Sequence, residues 1–325
     1  MSKVTPLSEL SADLHDLQER DCPICGPSEW TVHANSTVEF SKFNPLTYSS
    51  RKPPEAMHFR FLRCSSCTLI FASPVVNFEQ ISALYRHADF SSSVESLQAA
   101  RTYARLLDRA MAVTQHVRSG SRSTLKILDV GAGDGAFLSV LRERGFKEVN
   151  GVEPSLAPIR AAPPSVRELI INESFRENLF PEETFDIVTC FQTIEHVDSP
   201  LATVREIFRI LRPGGMCVIV CHNVNAFSAR MMGTKSPIYD VEHLQLFSRS
   251  SIGELLERGR LQIALVSPII NSYSLDYWLK LSPIPKGVRS LLSIMLKYTL
   301  FSKVCVPLPA GNLLAVGTKV VTDHD

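Results

Sequence analysis

One short stretch limits the fold of this 325-residue chain more than any other: Leu128 to Leu138 reads LDVGAGDGAFL. An apolar run ends in an aspartate, glycines follow at 131, 133 and 135, and apolar positions then resume. Glycines so placed permit a tight turn and a close backbone approach, and the helix that follows offers an N-terminus favouring negative charge. Around this stretch, short apolar runs alternate with helical patterns: LKILDV, AFLSVLRERG, VNGVE, FDIVTC, LATVREIFRILR and MCVIVC. Buried runs separated by helices imply parallel strands joined by right-handed crossovers, an α/β, doubly wound sheet. Ligands of such sheets bind beyond the carboxyl ends of the strands, where VGAGDG and the end of VNGVE fall.

The glycine loop alone is ambiguous. GAGDGA satisfies the dinucleotide pattern G-x-G-x-x-G/A, and Glu153 falls near the place of a ribose-binding acid. Asp129 before the turn and Asp134 within it argue the other way, because carboxylates there would repel a pyrophosphate. A cofactor with a positive centre and no phosphates suits the loop better.

Cysteines mark a second unit. Cys22 and Cys25 lie in CPICG, and Cys64 and Cys67 in RCSSC, giving two Cys-x-x-Cys knuckles. Two residues between thiolates let both sulfurs converge on one tetrahedral ion, so the pattern predicts a closed, structural zinc site. The intervening segment carries Pro45, Pro53 and Pro54 and looks too rich in loops to fold alone, which makes the metal a source of stability. Cys190, Cys217, Cys221 and Cys305 sit in apolar runs and read as core packing. The expected organisation is an N-terminal zinc-binding unit over 1–90, a connecting helix over 91–120, and a cofactor-binding domain over 121–325 with an insertion at about 268–308. Two separate cores are expected.

Charge excludes some partners. With 34 lysines and arginines against 33 acids, the chain has no global positive field for nucleic acid. The N-terminal segment scatters charges and lacks the apolar core of a signal peptide, so the chain reads as cytoplasmic, where thiols stay reduced.

Five ordered features, LDVGAGDG, VNGVEPS, LFPEETFDIVTC, FQTIEHVDSP and RILRPGG, together resemble the class I S-adenosylmethionine-dependent methyltransferases from about Leu125 to Val266. That resemblance implies a mostly parallel seven-stranded sheet. It implies that Gly131, Gly133 and Gly135 hold the methionine end of S-adenosylmethionine, with Asp129 and Asp134 near its ammonium and sulfonium. Glu153 would take both ribose hydroxyls, Ser174 and Phe175 would lie near the adenine, and Gln192 would line the methionine side.

Methyl transfer to a hydroxyl or C–H acceptor also requires removal of a proton. Candidate bases follow the strand ends: His196 in TIEHVDSP after the fourth strand, and Glu242 and His243 in YDVEHLQLFS after the fifth. The expectation is that His243 removes the proton, Glu242 orients it, and His196 contacts the acceptor or serves as the alternative base. The four cysteines, FSSSVES, HVD and EH together look like the zinc-containing sugar C-methyltransferases of deoxysugar biosynthesis, which implies a sugar or glycan acceptor. The large C-terminal domain of that family is not expected within these 325 residues, and DVEHLQLFSRSSIGELLERGRLQIALV looks equally like generic methyltransferases of polysaccharide and natural-product pathways, so O- and C-methylation of a sugar, glycan or other small molecule both stand. A nucleic-acid methyltransferase with a zinc ribbon and a non-catalytic cofactor-binding scaffold are the alternatives. The former lacks its expected Asn/Asp-Pro-Pro-aromatic turn, since FQTI stands there.

Between the last two strands, expected at about Leu261–Ser267 and Leu313–Val320, the sequence is apolar with basic punctuation. Leu291, Leu292, Met295, Leu296 and Leu300 approximate one helical face, flanked by Lys286, Arg289, Lys297 and Lys303. This segment, 277–303, is expected to cover the acceptor cleft and meet a lipid-linked or nucleotide-linked glycan. Weak contact with the inner face of a membrane is one reading of it. A packed helix or homodimer face is the other.

Overall fold

The computed structural model describes residues 17–43, 47–48, 57–87, 90, 93–114, 121–282, 286–297 and 304–320. Five short strands come first: β1 (Leu17–Gln18), β2 (Trp30–Ala34), β3 (Phe61–Cys64), β4 (Ile70–Ala72) and β5 (Val75–Val76). Helices α1 (Phe78–His87) and α2 (Ser93–Val113) lead into the main sheet. That sheet is built from β6 (Lys126–Val130), β7 (Glu148–Val152), β8 (Ile170–Ile171), β9 (Phe185–Phe191), β10 (Leu211–His222), β12 (Gln262–Ser274) and β13 (Cys305–Thr318). The order across it is β12-β13-β10-β9-β6-β7-β8. From β10 to β8 every pairing is parallel, whereas β13 runs antiparallel to both β10 and β12. The doubly wound, mostly parallel seven-stranded sheet is therefore present.

Burial on both faces explains the apolar runs. Along β10, Met216, Val218 and Val220 enter the cluster beneath α2 and α3 (Ala136–Glu143), while Cys217, Ile219 and Cys221 enter the opposite one. Two short helices, α4 (Leu156–Ala161) and α5 (Pro164–Arg167), follow β7; the opposite cluster is closed by α6 (Pro200–Ile210) and α8 (Arg249–Arg258), and α7 (Phe227–Met232) lies between these two in the chain. Cys190, Cys217 and Cys221 are core residues as expected, but Cys305 is exposed, because it begins β13 where the last hairpin projects from the sheet.

The N-terminal cysteines do not close a separate core. Cys22, Ile24, Cys64, Cys67 and Phe71 pack in the same cluster as Leu128, Val188 and Phe247 of the main domain. A third cluster joins Phe59, Phe61 and Ile70 to Val224, Ile238, Val241 and Leu246. A four-stranded sheet in the order β11-β4-β3-β2 explains this, because β11 (Gln245–Leu246) belongs to the main domain and pairs with β4. Three clusters thus replace the two expected.

The final hairpin also differs from its sequence reading. Pairing continues outward as far as Ser274 with Cys305, so the insertion between the paired strands is residues 275–304. It contains α9 (Leu275–Leu281) and α10 (Lys286–Lys297). Met295, expected on the packed face of α10, is 59% exposed, while Leu292 and Leu296 are half-buried. Leu300, Lys303 and the side chains of Leu291, Lys286 and Lys297 lie outside the described residues. No helix of the described residues is long and apolar enough to cross a membrane.

Candidate active site

A single cavity of about 870 Å³ opens at the carboxyl ends of the parallel strands, and both groups of expected site residues line it. At one end stand Asp129, Gly131, Gly133, Asp134, Glu153, Ser174, Phe175 and Gln192. At the other stand His196, Glu242 and His243. Gly135, absent from the wall, lies behind it and begins α3.

The glycine loop owes its course to close contacts. Gly131 has φ +80°, and a Cβ there would lie 2.2 Å from Thr193 Oγ1, so only glycine fits. Gly133 has φ +54° and lines the cavity with open space where a Cβ would stand. Its N–H donates to Glu153 Oε2 at 2.9 Å, and Ser155 N–H donates to Glu153 Oε1 at 2.9 Å. Each carboxylate oxygen keeps a further lone pair, so the side chain is fixed and still able to accept bonds from a diol. Burial pushes the Glu153 carboxyl above its usual range, and the two backbone donors work against that shift.

Asp129, next to last in β6, is buried against the cavity wall, and burial pushes its pKa up to about 7. Thr189 Oγ1 donates to it at 2.6 Å and favours the charged form, whereas the nearby Glu153 charge opposes it. Two carboxylates at low dielectric favour a ligand that brings positive charge. Asp134 is also buried, and its Oδ1 accepts from Ala136 N–H at 3.3 Å, a local turn bond. Two polar atoms lining this end have no hydrogen-bond partner, Gln192 Nε2 and Ser155 Oγ. Gln192 itself adopts φ +52°, an unusual conformation for a non-glycine residue. These orphaned groups, the open space beside Gly133 and the acid pair fit S-adenosylmethionine.

At the far end, the imidazoles of His196 and His243 approach to 4.8 Å between ring centroids. Donor atoms of His196, Glu242 and His243 lie within 4.8 Å of one another. His243 Nδ1 donates to the Ile238 carbonyl at 2.9 Å, which fixes the tautomer with Nε2 as the basic nitrogen. His196 Nδ1 lies 2.7 Å from Tyr85 Oη and 3.1 Å from the Glu242 carbonyl. Burial pushes the Tyr85 phenol well up, and the carboxylates of Glu242, Asp240 and Glu153 add to that shift.

Sequence reading missed four residues here. Tyr85 comes from α1, more than a hundred positions before His196, and no local pattern marks it. His222 follows MCVIVC directly, and its ring lies 4.9 Å from that of His243. Arg20 and Gln245 brace the two loops that carry His196 and His243. Gln245 Nε2 donates to the carbonyls of Ile194 and Val197, each at 2.8 Å. Arg20 donates to the Asp198 carbonyl at 2.7 Å and to the Leu244 carbonyl at 3.4 Å. His222, at the end of a strand, was the one legible from position alone.

The four cysteines converge. Cys22 Sγ and Cys67 Sγ are 3.5 Å apart, and all four sulfurs lie within 4.8 Å of one another. The Cys67 thiol holds that of Cys22 low, at about 5, and burial raises Cys25 to about 11. Such a set of sulfurs has the spacing and softness that zinc requires.

A family model described as a methyltransferase domain matches residues 93–263, just over half of the chain. Over 108 residues the chain is 33% identical to the ubiquinone biosynthesis O-methyltransferase of Psychrobacter arcticus, a match covering 31% of this chain and 42% of that protein. Over 106 residues it is 36% identical to the protein of the same name from Pseudomonas fluorescens Pf0-1, covering 31% and 45%. The chain thus spans under half the length of the curated relatives it matches. Among solved structures, the YcgJ protein from Bacillus subtilis aligns over 66% of this chain and 99% of its own at TM-score 0.45 and 19% identity. The geranyl diphosphate C-methyltransferase of Streptomyces coelicolor A3(2) aligns over 66% and 77% at TM-score 0.41 and 15% identity.

Proposed function

The chain belongs to the methyltransferase domain family, and from that premise we propose that it transfers a methyl group from S-adenosylmethionine to a hydroxylated small-molecule acceptor, a sugar or glycan. One observation carries the reading. A single cavity joins an acidic glycine loop to a cluster of two imidazoles and a carboxylate. When bound, S-adenosylmethionine supplies an electrophilic methyl group.

The chain's own residues then have separable tasks. Glu153, held by two backbone N–H groups, would accept the ribose hydroxyls. Asp129 and Asp134 would supply negative potential toward the ammonium and sulfonium, and Gln192 would bond the methionine side. Ser174 and Phe175 would stand near the adenine. His243 takes the acceptor proton on Nε2, with its ring held by the Ile238 carbonyl and the resulting imidazolium stabilised by the nearby Glu242 carboxylate. His196, steadied by Tyr85, contacts the acceptor. The relatives are named O-methyltransferases, which favours oxygen as the nucleophile. Zinc on Cys22, Cys25, Cys64 and Cys67 would be structural, because four thiolates leave no open coordination position.

Isothermal calorimetry with S-adenosylmethionine and with NAD tests the cofactor. Binding of the first alone is expected, weakened at least tenfold, or about 1.4 kcal/mol, by Glu153→Ala. Tight NAD binding without S-adenosylmethionine binding would remove the reading. Mass spectrometry across nucleotide sugars and lipid-linked glycans then identifies the acceptor by a gain of one methyl group.

A further inference from the structure

Beyond the histidine cluster the cavity continues along the projecting part of the β12/β13 hairpin, and its wall there changes character. Asn271, Tyr273, Tyr277 and Trp278 line it, together with His222 and Asn312. Asn271 is 2% exposed, and its Oδ1 has no hydrogen-bond partner in the protein. His222 Nδ1 and Asn312 Oδ1 are 2.9 Å apart, joining neighbouring positions on β10 and β13. The aromatic rings form a compact group: Tyr273 lies 4.7 Å from Tyr277 and 5.4 Å from Trp278. Trp278 is fixed by donating its indole N–H to the Val306 carbonyl at 2.8 Å.

From this wall we infer a second acceptor subsite that binds an uncharged, hydroxylated ring, such as a sugar residue adjoining the one that is methylated. A buried amide oxygen without a partner costs about 1–3 kcal/mol, and a ligand hydroxyl that donates to it once the amide turns toward the wall recovers that loss. An alkyl or isoprenoid tail offers no donor and would leave the cost standing, so the amide selects against it. Asn271, Asn312, Tyr273, Tyr277 and Trp278 offer a ligand hydrogen-bonding and apolar contacts without a fixed charge. Aromatic rings beside amides match a sugar's two surfaces, an apolar face of C–H groups and a rim of hydroxyls. From β10, which carries His222, to β12, which carries Asn271, is two strand spacings, or about 10 Å. The acceptor would therefore extend past the reacting ring by about one more.

The location of this subsite rests on the methyl-transfer reading, but its test does not. Trp278 stands in the subsite, and the chain's other tryptophan, Trp30, stands on β2. Intrinsic fluorescence of the full chain, without cofactor, is titrated with a panel of methyl glycosides of hexoses and 6-deoxyhexoses, and with methylcyclohexane, a ring that carries no donor. A saturable change with at least one glycoside is expected, abolished as a signal by Trp278→Phe. Asn271→Leu should weaken that binding about tenfold, the loss of one hydrogen bond. S-adenosylmethionine affinity and melting temperature report whether the variant is folded, and Asn271→Ala reads the same loss if the leucine variant is not. Response to methylcyclohexane alone, to no probe, or undiminished glycoside binding in Asn271→Leu overturns the subsite. Failure to bind S-adenosylmethionine would instead strike the methyl-transfer reading and leave the glycoside titration intact.

Discussion

His243 and Asp129 show how position, more than residue type, sets chemistry. A general base contributes typically about 10²–10⁴-fold, so His243→Asn should lower turnover by that range while leaving cofactor affinity nearly unchanged. His196→Asn should cost less, through acceptor KM; if it abolishes turnover while His243→Asn does not, the two roles are exchanged. Asp129 makes a stability prediction. Its pKa rises from 3.8 to about 7 in the folded chain, so the folded form holds a proton that the unfolded form releases at lower pH. The stability tied to this proton is present at acid pH and is lost as pH climbs through about 7. Asp129→Asn keeps an acceptor for Thr189 and removes the buried charge. Its melting temperature without cofactor should therefore exceed wild type more at pH 8 than at pH 5. A gain independent of pH would show that the carboxyl is charged throughout.

At the scale of elements, the active site depends on the way two loops are tied. The segment ahead of β11 carries Glu242 and His243, and the loop after β9 carries His196. Leu244 N–H donates to the Glu195 carbonyl at 2.8 Å, and Gln245 spans both ends of the His196 loop. Gln245 is wholly buried. Gln245→Leu would strand the carbonyls of Ile194 and Val197, costing about 1–3 kcal/mol for each left unpaired. Differential scanning calorimetry should show that loss, and turnover should fall with it while S-adenosylmethionine affinity holds, because the glycine loop hangs from other strands. Unchanged turnover in a destabilised variant would show that the brace serves stability alone.

Across the whole molecule, the cysteine unit and the loops that carry His196 and His243 are tied together. β4 pairs with β11, Ala72 N–H donates to the Leu244 carbonyl, and Arg20 reaches both of those loops. Metal analysis should give near-unit zinc per chain, lost in Cys64→Ser. In that variant, hydrogen exchange should quicken at residues 242–246 before it does at 128–135, and S-adenosylmethionine binding should outlast acceptor turnover. A metal-free chain with wild-type exchange at 242–246 would show that the cysteines hold the sheet without an ion.

What the sequence determined by itself were the features that follow from local chemistry. The glycine loop, the alternation of buried runs and helices, Glu153 at a strand end and the paired cysteine knuckles each need only a few neighbouring residues to be recognised. The acceptor-side candidates His196, Glu242 and His243 were legible for a related reason, since a doubly wound sheet delivers its strand ends to one edge. Tyr85, Arg20 and Asn271 were not, because each gains its role from a partner far away in the chain, and a tyrosine, arginine or asparagine carries no periodic signature. The merger of the cysteine unit with the main domain was likewise decided in three dimensions: β11 is two residues long, too short to announce itself, and its pairing with β4 is what a linear reading leaves out.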